Sequence, residues 1–599
     1  MTVLGLPGGH NAAECGGAKV KKVLKACVSA AILTLACTAP SNAADVVIHG
    51  VITDTGGKPV RGAMVRAATS SKSVIRYSQK DGSYQISIAP GTYDVSVDAF
   101  GYLGKRASTN ASAATTDVNF SLTPKIDVNR LIGADVEKLI PDDVQGRLIK
   151  GTCIDCHDLA YVMHKRGYTA DEWASFLPEM TRGRRTQPVY TPQKLAALSA
   201  ALEKYFGPNS QYFGPDAEPP ARDQIHHPDV ADAVLKATIH EYTPPAGLDS
   251  FVHSVTLTDG LYGRPSGFTV DPHVESMVWF TQAGLKWGAA GSSKVASFNP
   301  VTEEFKEYET NVHQDHTGVI DAQGRYWIAA ANPGLGNAKL VMVDTKTGQI
   351  RSFVFAGKLQ GAHTPVLDQA GNVWFSTNGS QPAVAEVWFF DTKKEQFKDY
   401  KIPMPAQYPA GSYADWRQQG GDKLEGTLGA STSYSTYQIS VDSKGMVWAS
   451  SLTMGMIAKI DPSTGEVSKF IPPDVPGIRG ILVDQHDNVW FSDYFHHHLG
   501  KLDPKTGTFK MYQPPTLGAT PYGIIEERRT GYIWYADQTG ANITRFDPKT
   551  EQFIEYPITR PGYPRFLDVD RKGQVWFGEY FSGKIAVLDP GQNTESASR

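Results

Sequence analysis

Asp484-Gln485-His486-Asp487-Asn488-Val489-Trp490-Phe491-Ser492, followed after a break by Lys501-Leu502-Asp503-Pro504, is one copy of a pattern that recurs through the chain after residue 237. An acidic residue opens a polar turn, an apolar residue and a tryptophan begin a strand, and a further strand ends near Asp. The tryptophans are Trp279, Trp327, Trp374, Trp448, Trp490, Trp534 and Trp576, spaced 42 to 48 residues apart except between Trp374 and Trp448. Such a period marks a repeat architecture, and four short strands per unit specify a seven-bladed β-propeller over 237–590. The tryptophans are expected as blade core. The longer interval holds a Tyr/Gly-rich insertion, roughly 403–434. The last unit ends at Leu588-Asp589-Pro590 without a fourth strand, and Ile239-His240-Glu241-Tyr242 ahead of the first unit has the look of the missing one. It is expected to pair into the last blade and leave no open edge.

Aligning the units on the acid and the Trp predicts two rings at one end of the channel. Five residues before the acid stand Ser266, His316, His363, Tyr437, Arg479, Tyr522 and Arg565; three after the Trp stand Gln282, Ala330, Thr377, Ser451, Asp493, Asp537 and Glu579. Such a convergence of His, Tyr, Arg and carboxylates is not needed for stability and is the candidate binding site for a small molecule. Asp315 is expected to orient His316 or to pair with an Arg. His496-His497-His498 on the same rim reads as a solvated turn before a metal site.

Ile478-Arg479-Gly480-Ile481, leading to Val489-Trp490-Phe491-Ser492 and Leu499-Gly500-Lys501-Leu502-Asp503, resembles the streptogramin (virginiamycin B) lyase family. The resemblance implies a seven-bladed propeller that opens a cyclic depsipeptide by magnesium-assisted elimination. It implies His on the inner strands of two neighbouring blades, matched by His316 and His363, and Glu three residues after the second Trp. Thr377 stands at that position, and Glu579 is the Glu of the ring, so His316, His363 and Glu579 are the candidate catalytic residues, with Mg2+ implied in the funnel.

Upstream, residues 45–125 alternate apolar and polar residues between turn signals, as in a small antiparallel β-sandwich. Gly56-Gly57-Lys58-Pro59, Asp81-Gly82-Ser83-Tyr84 and Pro90-Gly91-Thr92-Tyr93 resemble the carboxypeptidase regulatory-like domain, which implies a non-catalytic module. Residues 126–207 turn helical. One helix, about 142–151, delivers Cys153-Ile154-Asp155-Cys156-His157, whose two thiols and imidazole have the spacing for covalent haem c attachment. No second Cys pair completes a zinc site. The next helix opens on a capping box, Thr169 and Glu172, and carries Trp173, Phe176, Leu177 and Met180 on one face. A third starts at Thr191-Pro192 and lines up Leu195, Leu198, Leu202 and Tyr205. The set resembles a class I cytochrome c domain, with Met180 as the sixth iron ligand and Met163 and His164 as alternatives. Residues 208–236 read as a linker and 591–599 as a tail.

The fold class is therefore mainly β and multidomain: a β-sandwich, a small helical haem domain and a propeller. Residues 1–44 read as a secretory signal, with Lys19, Lys21, Lys22 and Lys25 before an apolar run and Ser41-Asn42-Ala43-Ala44 at its exit. Retention as an anchor competes with cleavage, though the apolar run is short for a span. Cleavage would leave Cys153 and Cys156 as the remaining thiols, which suits a periplasmic or otherwise exported protein. The formal charge of −4 points to no nucleic-acid partner. The expected function is electron transfer to a redox partner protein, with the propeller holding a ligand; the alternative is a propeller C–O lyase or hydrolase with an accessory cytochrome. The cluster Arg182, Arg184 and Arg185 reads as a solvated surface.

Overall fold

The computed structural model describes residues 45–153, 158–181, 191–225, 227–245, 250–266, 268–284, 293–310, 312, 315–330, 339–355, 362–377, 384–403, 405, 436–452, 455–475, 477–560 and 562–591. The leader, Cys156, His157 and the arginine cluster lie outside the described residues, as do the side chains of Asp315 and Met180.

Among the described residues, the chain after Ser250 forms six antiparallel sheets of four strands each in sequence order, and a seventh begins with Pro564–Val569, Val575–Glu579 and Lys584–Asp589. The innermost strands touch their neighbours all the way round, from Ser250–Leu257 through to Pro564–Val569 and back, so the sheets close into a propeller. The strand-opening acids have a physical role. The indole N–H of Trp327 donates to Asp321 (2.8 Å), Trp448 to Asp442 (3.0 Å), Trp490 to Asp484 (2.8 Å) and Trp534 to Glu527 (3.2 Å). The same Asp484 carboxylate accepts the turn amides of His486 and Asn488, each at 2.9 Å. One acid thus fastens both the hairpin turn and a buried indole, which explains why acid and Trp recur at a fixed interval. The first blade lacks this lock: Trp279 Nε1 is buried without a hydrogen-bond partner among the described residues.

The fourth strand of the seventh sheet is Thr238–Tyr242, antiparallel to Lys584–Asp589 through Ile239↔Leu588 and Glu241↔Ala586. Its other edge is paired as well. Lys72–Tyr77 of the N-terminal region adds to it through Ile75↔Ile239, so the blade runs on into the sandwich as one sheet of eight strands. That sheet continues with Met64–Ala68, Gly91–Asp98 and Lys105–Ala111. The facing sheet is built on Val46–Asp54, which pairs with Ser83–Ile88, Thr115–Asp117 and Phe120–Leu122. The alternation read from sequence is the burial pattern: Tyr84, Ile86 and Ile88 face inward while their neighbours face out. They pack with Ile48, Ile52, Val65, Ala67 and Val95.

At the seam of the two modules lies a buried charge cluster. Glu241, 1% exposed, accepts from Arg66 Nε (2.9 Å), Ser73 Oγ (2.6 Å) and Lys584 Nζ (2.9 Å). Burial alone would raise its pKa, yet the charges of Lys584 and Arg66 hold it down at about 2.

The helical segment comprises α1 (Gly133–Leu139), α2 (Val144–Cys153), α3 (Leu159–Val162), α4 (Ala170–Thr181) and α5 (Pro192–Phe206). Its signals act as read: Thr169 N–H donates to Glu172 (2.8 Å), and Thr191 Oγ1 accepts from Lys194 N (3.2 Å). Trp173, Leu177, Leu198, Leu202 and Phe206 are buried together. Phe213 and Ile225 belong to the same core, and Asp232 pairs with Arg61 (2.7 Å) and Lys80 (2.8 Å) of the sandwich, so residues 208–236 are packed rather than a loose tether. No helix among the described residues is long and apolar enough to cross a membrane.

Glu241→Ala would leave Arg66 and Lys584 without their shared counter-ion, and removing one side of a buried pair costs about 3–5 kcal/mol. The expected outcome is a large drop in the urea midpoint. Because the folded pKa lies below the ordinary 4.5, this contribution is complete above about pH 4.5 and is lost as pH falls towards 2. An unchanged midpoint at pH 7 would discard this account of the seam.

Candidate functional site

Each inner strand of blades one, two, three, five, six and seven carries a register shift at the same point, between Val252 and Val255, Asp315 and Thr317, Ala362 and Pro365, Ile478 and Ile481, Pro521 and Ile524, and Pro564 and Leu567. A bulge bends a strand and re-aims a side chain. The residues inside these bulges include His253, His316, His363, Arg479, Tyr522 and Arg565, and Tyr437 joins them from the fourth blade. Hydroxyls lock the bulges to one another. Thr281 Oγ1 donates to the His316 carbonyl (2.9 Å), Thr317 Oγ1 to that of His363 (3.0 Å), Ser376 Oγ to that of Tyr437 (2.6 Å) and Ser450 Oγ to that of Arg479 (2.8 Å). Gly480 is required in its bulge, since a Cβ there would lie 2.3 Å from the Tyr522 carbonyl oxygen.

The result is one ring. The imidazole centroids of His253 and His316 are 3.9 Å apart, those of His316 and His363 3.6 Å, and His363 lies 4.2 Å from the Tyr437 ring. The hydroxyls of Tyr437 and Tyr522 meet at 2.6 Å, and Arg565 Nη1 donates to His253 Nε2 at 3.0 Å, completing the circuit. Arg479 lies 4.0 Å from the centroid of Tyr494 and Arg565 3.9 Å from that of Tyr580, both on the rim above. Burial, with the nearby Arg565 charge, pushes His253 and His316 well below the ordinary imidazole range. Burial and the Arg479 charge take His363 down to about 3. All three imidazoles are therefore neutral at physiological pH.

The structure corrects one of the sequence expectations here. Ser266 is not in the ring; His253 takes the place of the first blade. The reason is the loop 258–277, which separates the first two strands of that blade, so counting back from Asp271 lands inside it. This loop closes the opposite end of the channel. Gly263 O accepts from Leu367 N (2.7 Å), Ser266 N donates to Val441 O (3.3 Å), Arg528 holds Phe268 O (2.6 Å), and Asp568 accepts from Leu261 N (2.9 Å). In the His496-His497-His498 turn, His496 is exposed whereas His497 is held against the helical segment. His497 bonds Thr520 Oγ1 (2.8 Å) and pairs with Glu137 of α1 (3.5 Å). Burial disfavours the charged ring, but the Glu137 charge outweighs it and raises its pKa.

The second set of residues is buried at the strand ends, but the described bonds of its carboxylates go elsewhere than the ring. Asp493 accepts from His496 N (3.2 Å). Asp537 accepts from Thr520 N (2.9 Å) and Gly540 N (2.8 Å), and burial raises it to about 7. Glu579 is held by Ser582 and by Thr559 (3.1 Å), whose hydroxyl also touches Glu241; burial and then the Glu241 charge push Glu579 up to about 7. Thr377 donates to the Glu386 carbonyl (3.2 Å). Among the described residues the ring holds two guanidiniums and no carboxylate, and no group of three His, Cys, Asp or Glu could hold a metal ion. The described residues of the ring therefore offer no carboxylate to the magnesium that the sequence resemblance implies.

The helical segment sits on the same rim. Ala134 N donates to Thr539 O (3.1 Å), and Tyr161 stacks on Phe581 at 4.2 Å. Tyr161 also lines an apolar cavity with Cys153, Val162, His164, Trp173, Phe176, Leu177 and Leu202. Trp173 Nε1 is buried there without a hydrogen-bond partner among the described residues. Asp158, the N-cap of α3, accepts from Tyr161 N (3.0 Å), and burial raises it to about 7. Sequence reasoning missed the contacts of Tyr161 and His497 because nothing in either stretch announces a partner distant in the chain.

Comparison with known proteins accords with two of these modules. The Virginiamycin B lyase family model matches residues 426–596, and the Carboxypeptidase regulatory-like domain model matches residues 47–123. Among solved structures, a virginiamycin B lyase from Staphylococcus aureus is similar at 18% identity, over 59% of this chain and 99% of that one, with a TM-score of 0.43. A streptogramin B lyase is similar at 17% identity, over 60% and 99%, with a TM-score of 0.44. The WD40 β-propeller domain of Doa1 is similar at 10% identity, over 57% and 93%, with a TM-score of 0.40. No curated protein matches the chain. The lyase family match spans Tyr437, Arg479, Tyr522 and Arg565, whereas the three histidines precede it.

In histidine-labelled protein, the imidazole nitrogens of His253, His316 and His363 are expected to keep neutral chemical shifts as pH falls from 8 to 5. Protonation of any of them between pH 6 and 7 would refute the picture of a desolvated ring under a guanidinium field.

Proposed function

We propose that the chain is an exported propeller enzyme of the C–O lyase or hydrolase type, acting on a small molecule held over the ring, with the helical segment as an accessory haem c domain. The observation that carries the reading is the ring itself: three neutral imidazoles in contact, flanked by Arg565 and Arg479, on strands whose second half matches the lyase family model. A neutral imidazole accepts a proton, and His316 Nδ1 has no partner among the described residues to occupy it. A guanidinium beside it polarises a substrate carbonyl and stabilises the negative charge that develops when a neighbouring C–H is deprotonated. Glu579 serves the rim turn in this reading.

Incubation of the full chain with a streptogramin B should yield the linear product by mass spectrometry, with or without EDTA. His316→Ala and His363→Ala should each lower turnover by about 10²–10⁴-fold. Intact substrate with the native chain would remove the lyase reading.

The electron-transfer reading is favoured by a separate observation, the apolar cavity at Cys153 with the unpartnered Trp173 indole on its wall. These residues fit a flat apolar group with a polar edge. Cys153 and Cys156 would hold a haem through thioethers, His157 and Met180 would ligate its iron, and Trp173 would donate to a propionate. Such a group supplies one-electron chemistry. Export follows from the basic and apolar leader and from thiols confined to it and to the Cys153 motif. Protein recovered from the periplasm should show a c-type α-band in its reduced-minus-oxidised spectrum, lost in Cys153→Ala; a spectrum without the band dismisses the haem.

A further inference from the structure

We infer that the Thr559 hydroxyl joins two buried acids, Glu241 of the seam and Glu579 of the rim, through one shared proton, and that this bridge is a pH-sensitive switch holding the turn 580–583 against the helical segment. The inference is independent of what the ring binds and of whether the helical segment carries a haem.

Hydrogen-bond arithmetic is the first argument. Glu241 and Glu579 are 1% and 0% exposed, and Thr559 Oγ1 touches both, Glu241 at Oε1 and Glu579 at Oε1 (3.1 Å). A hydroxyl has one proton to donate, and an ionised carboxylate only accepts. Both contacts are hydrogen bonds only when one acid is protonated, so that it donates to Thr559 Oγ1 while Thr559 donates to the other. The neighbours decide which acid that is. Arg66 Nε, Ser73 Oγ and Lys584 Nζ all donate to Glu241 Oε2, which makes Glu241 the anion. Glu579 is met by hydroxyls, those of Thr559 and Ser582, and the proton resides on its Oε1. Burial and then the Glu241 charge favour this neutral form, against the pull of the Lys584 charge. The two acids titrate as a pair, one proton leaving in acid and the other near pH 7.

The place of Glu579 in the chain gives the proton its reach. Glu579 opens the turn into Lys584–Asp589: Gly583 N donates to its carbonyl (3.0 Å) and the Ser582 hydroxyl to its side chain. Within that turn Phe581 stacks on Tyr161 of α3 at 4.2 Å and lies 4.7 Å from the Tyr563 ring. Tyr580, beside it, lies 5.6 Å from His253 and 3.9 Å from the Arg565 guanidinium. One proton therefore connects the sandwich seam, the ring end and the surface on which the helical segment rests. Because the folded pKa of Glu579 lies above the ordinary 4.5, the folded turn keeps a proton that the unfolded chain releases. The bridge is complete well below pH 7 and is lost as pH rises through that value, when two buried anions compete for one hydroxyl.

The test is hydrogen exchange by mass spectrometry on the full chain at pH 6 and pH 8, corrected for intrinsic rates and read at the peptides over 579–584 and 159–163. The native chain should lose tenfold or more of its protection there at pH 8. Glu579→Gln, whose amide stays neutral and still donates, should keep the pH 6 protection at both values, and Thr559→Val should lack it at both. Lys510→Ala on an outer strand should behave as native. In infrared difference spectra between the two pH values, part of the carboxylic-acid carbonyl band of the native chain should be missing from Glu579→Gln. Should circular dichroism show Glu579→Gln unfolded, Thr559→Ser takes its place: it retains the hydroxyl and should follow the native chain where Thr559→Val does not. Equal native protection at pH 6 and 8 overturns the inference. So does a pH dependence that persists in Glu579→Gln, or identical behaviour of Thr559→Ser and Thr559→Val.

Discussion

A propeller must close, and here closure depends on Thr238–Tyr242, a short strand hydrogen-bonded on both edges. On one side it supplies the strand that the seventh blade lacks. On the other it accepts Lys72–Tyr77, so an edge that would be open in a free propeller is covered by the sandwich. Pairing on both sides removes the exposed ladder and at the same time fixes the sandwich to one blade as an extension of its sheet. The buried Glu241, Arg66 and Lys584 cluster is a consequence of that geometry. Strand alternation aims these side chains to one face of a sheet covered on both sides, where each charge needs the others.

Closure also dictates where chemistry can occur. The loop 258–277 is bonded across one end of the channel, and at the ring end the helical segment rests on part of the rim through Ala134, Tyr161 and the pairing of Glu137 with His497. The bulges then decide what faces the mouth. A regular strand would alternate its side chains between the two faces of its blade; an extra residue at the same level of six inner strands turns His253, His316, His363, Arg479, Tyr522 and Arg565 towards the axis. Burial, with the charges of the neighbouring guanidiniums added to it, keeps all three imidazoles neutral. The ring is thus a buried set of neutral imidazoles and phenols with two guanidiniums among them.

Much of the propeller was legible because its determinants are local. The acid that caps a hairpin turn and receives the indole six residues later is a contact within one hairpin, so it leaves a fixed spacing in the chain, as Asp484 and Trp490 show. The same holds for the Thr169–Glu172 and Thr191 caps and for the alternation of Ser83–Ile88. Six of the seven ring residues followed from that spacing. His253 did not, because the loop 258–277 breaks the count, and Trp279 without an acid partner shows that the first blade had already left the pattern. The carboxylates at the strand ends misled for another reason: position along a strand tells how deep a residue sits, while which neighbour claims its oxygens depends on the connections between strands and blades, as with Thr520 on Asp537 and Thr559 on Glu579.

The sequence by itself determined the repeat, its closing strand, the sandwich alternation, the helix caps and the Cys153-x-x-Cys156-His157 spacing, since each rests on interactions between residues close in the chain or on a period that many units share. Tertiary structure alone decided that the loop 258–277 bonds across one end of the channel, that His253 stands beside His316, that His497 clasps Glu137, and that the described bonds of Asp493, Asp537 and Glu579 go elsewhere than the ring. Those are contacts between residues tens to hundreds of positions apart, where no local spacing constrains the partner and the geometry of the closed ring chooses it.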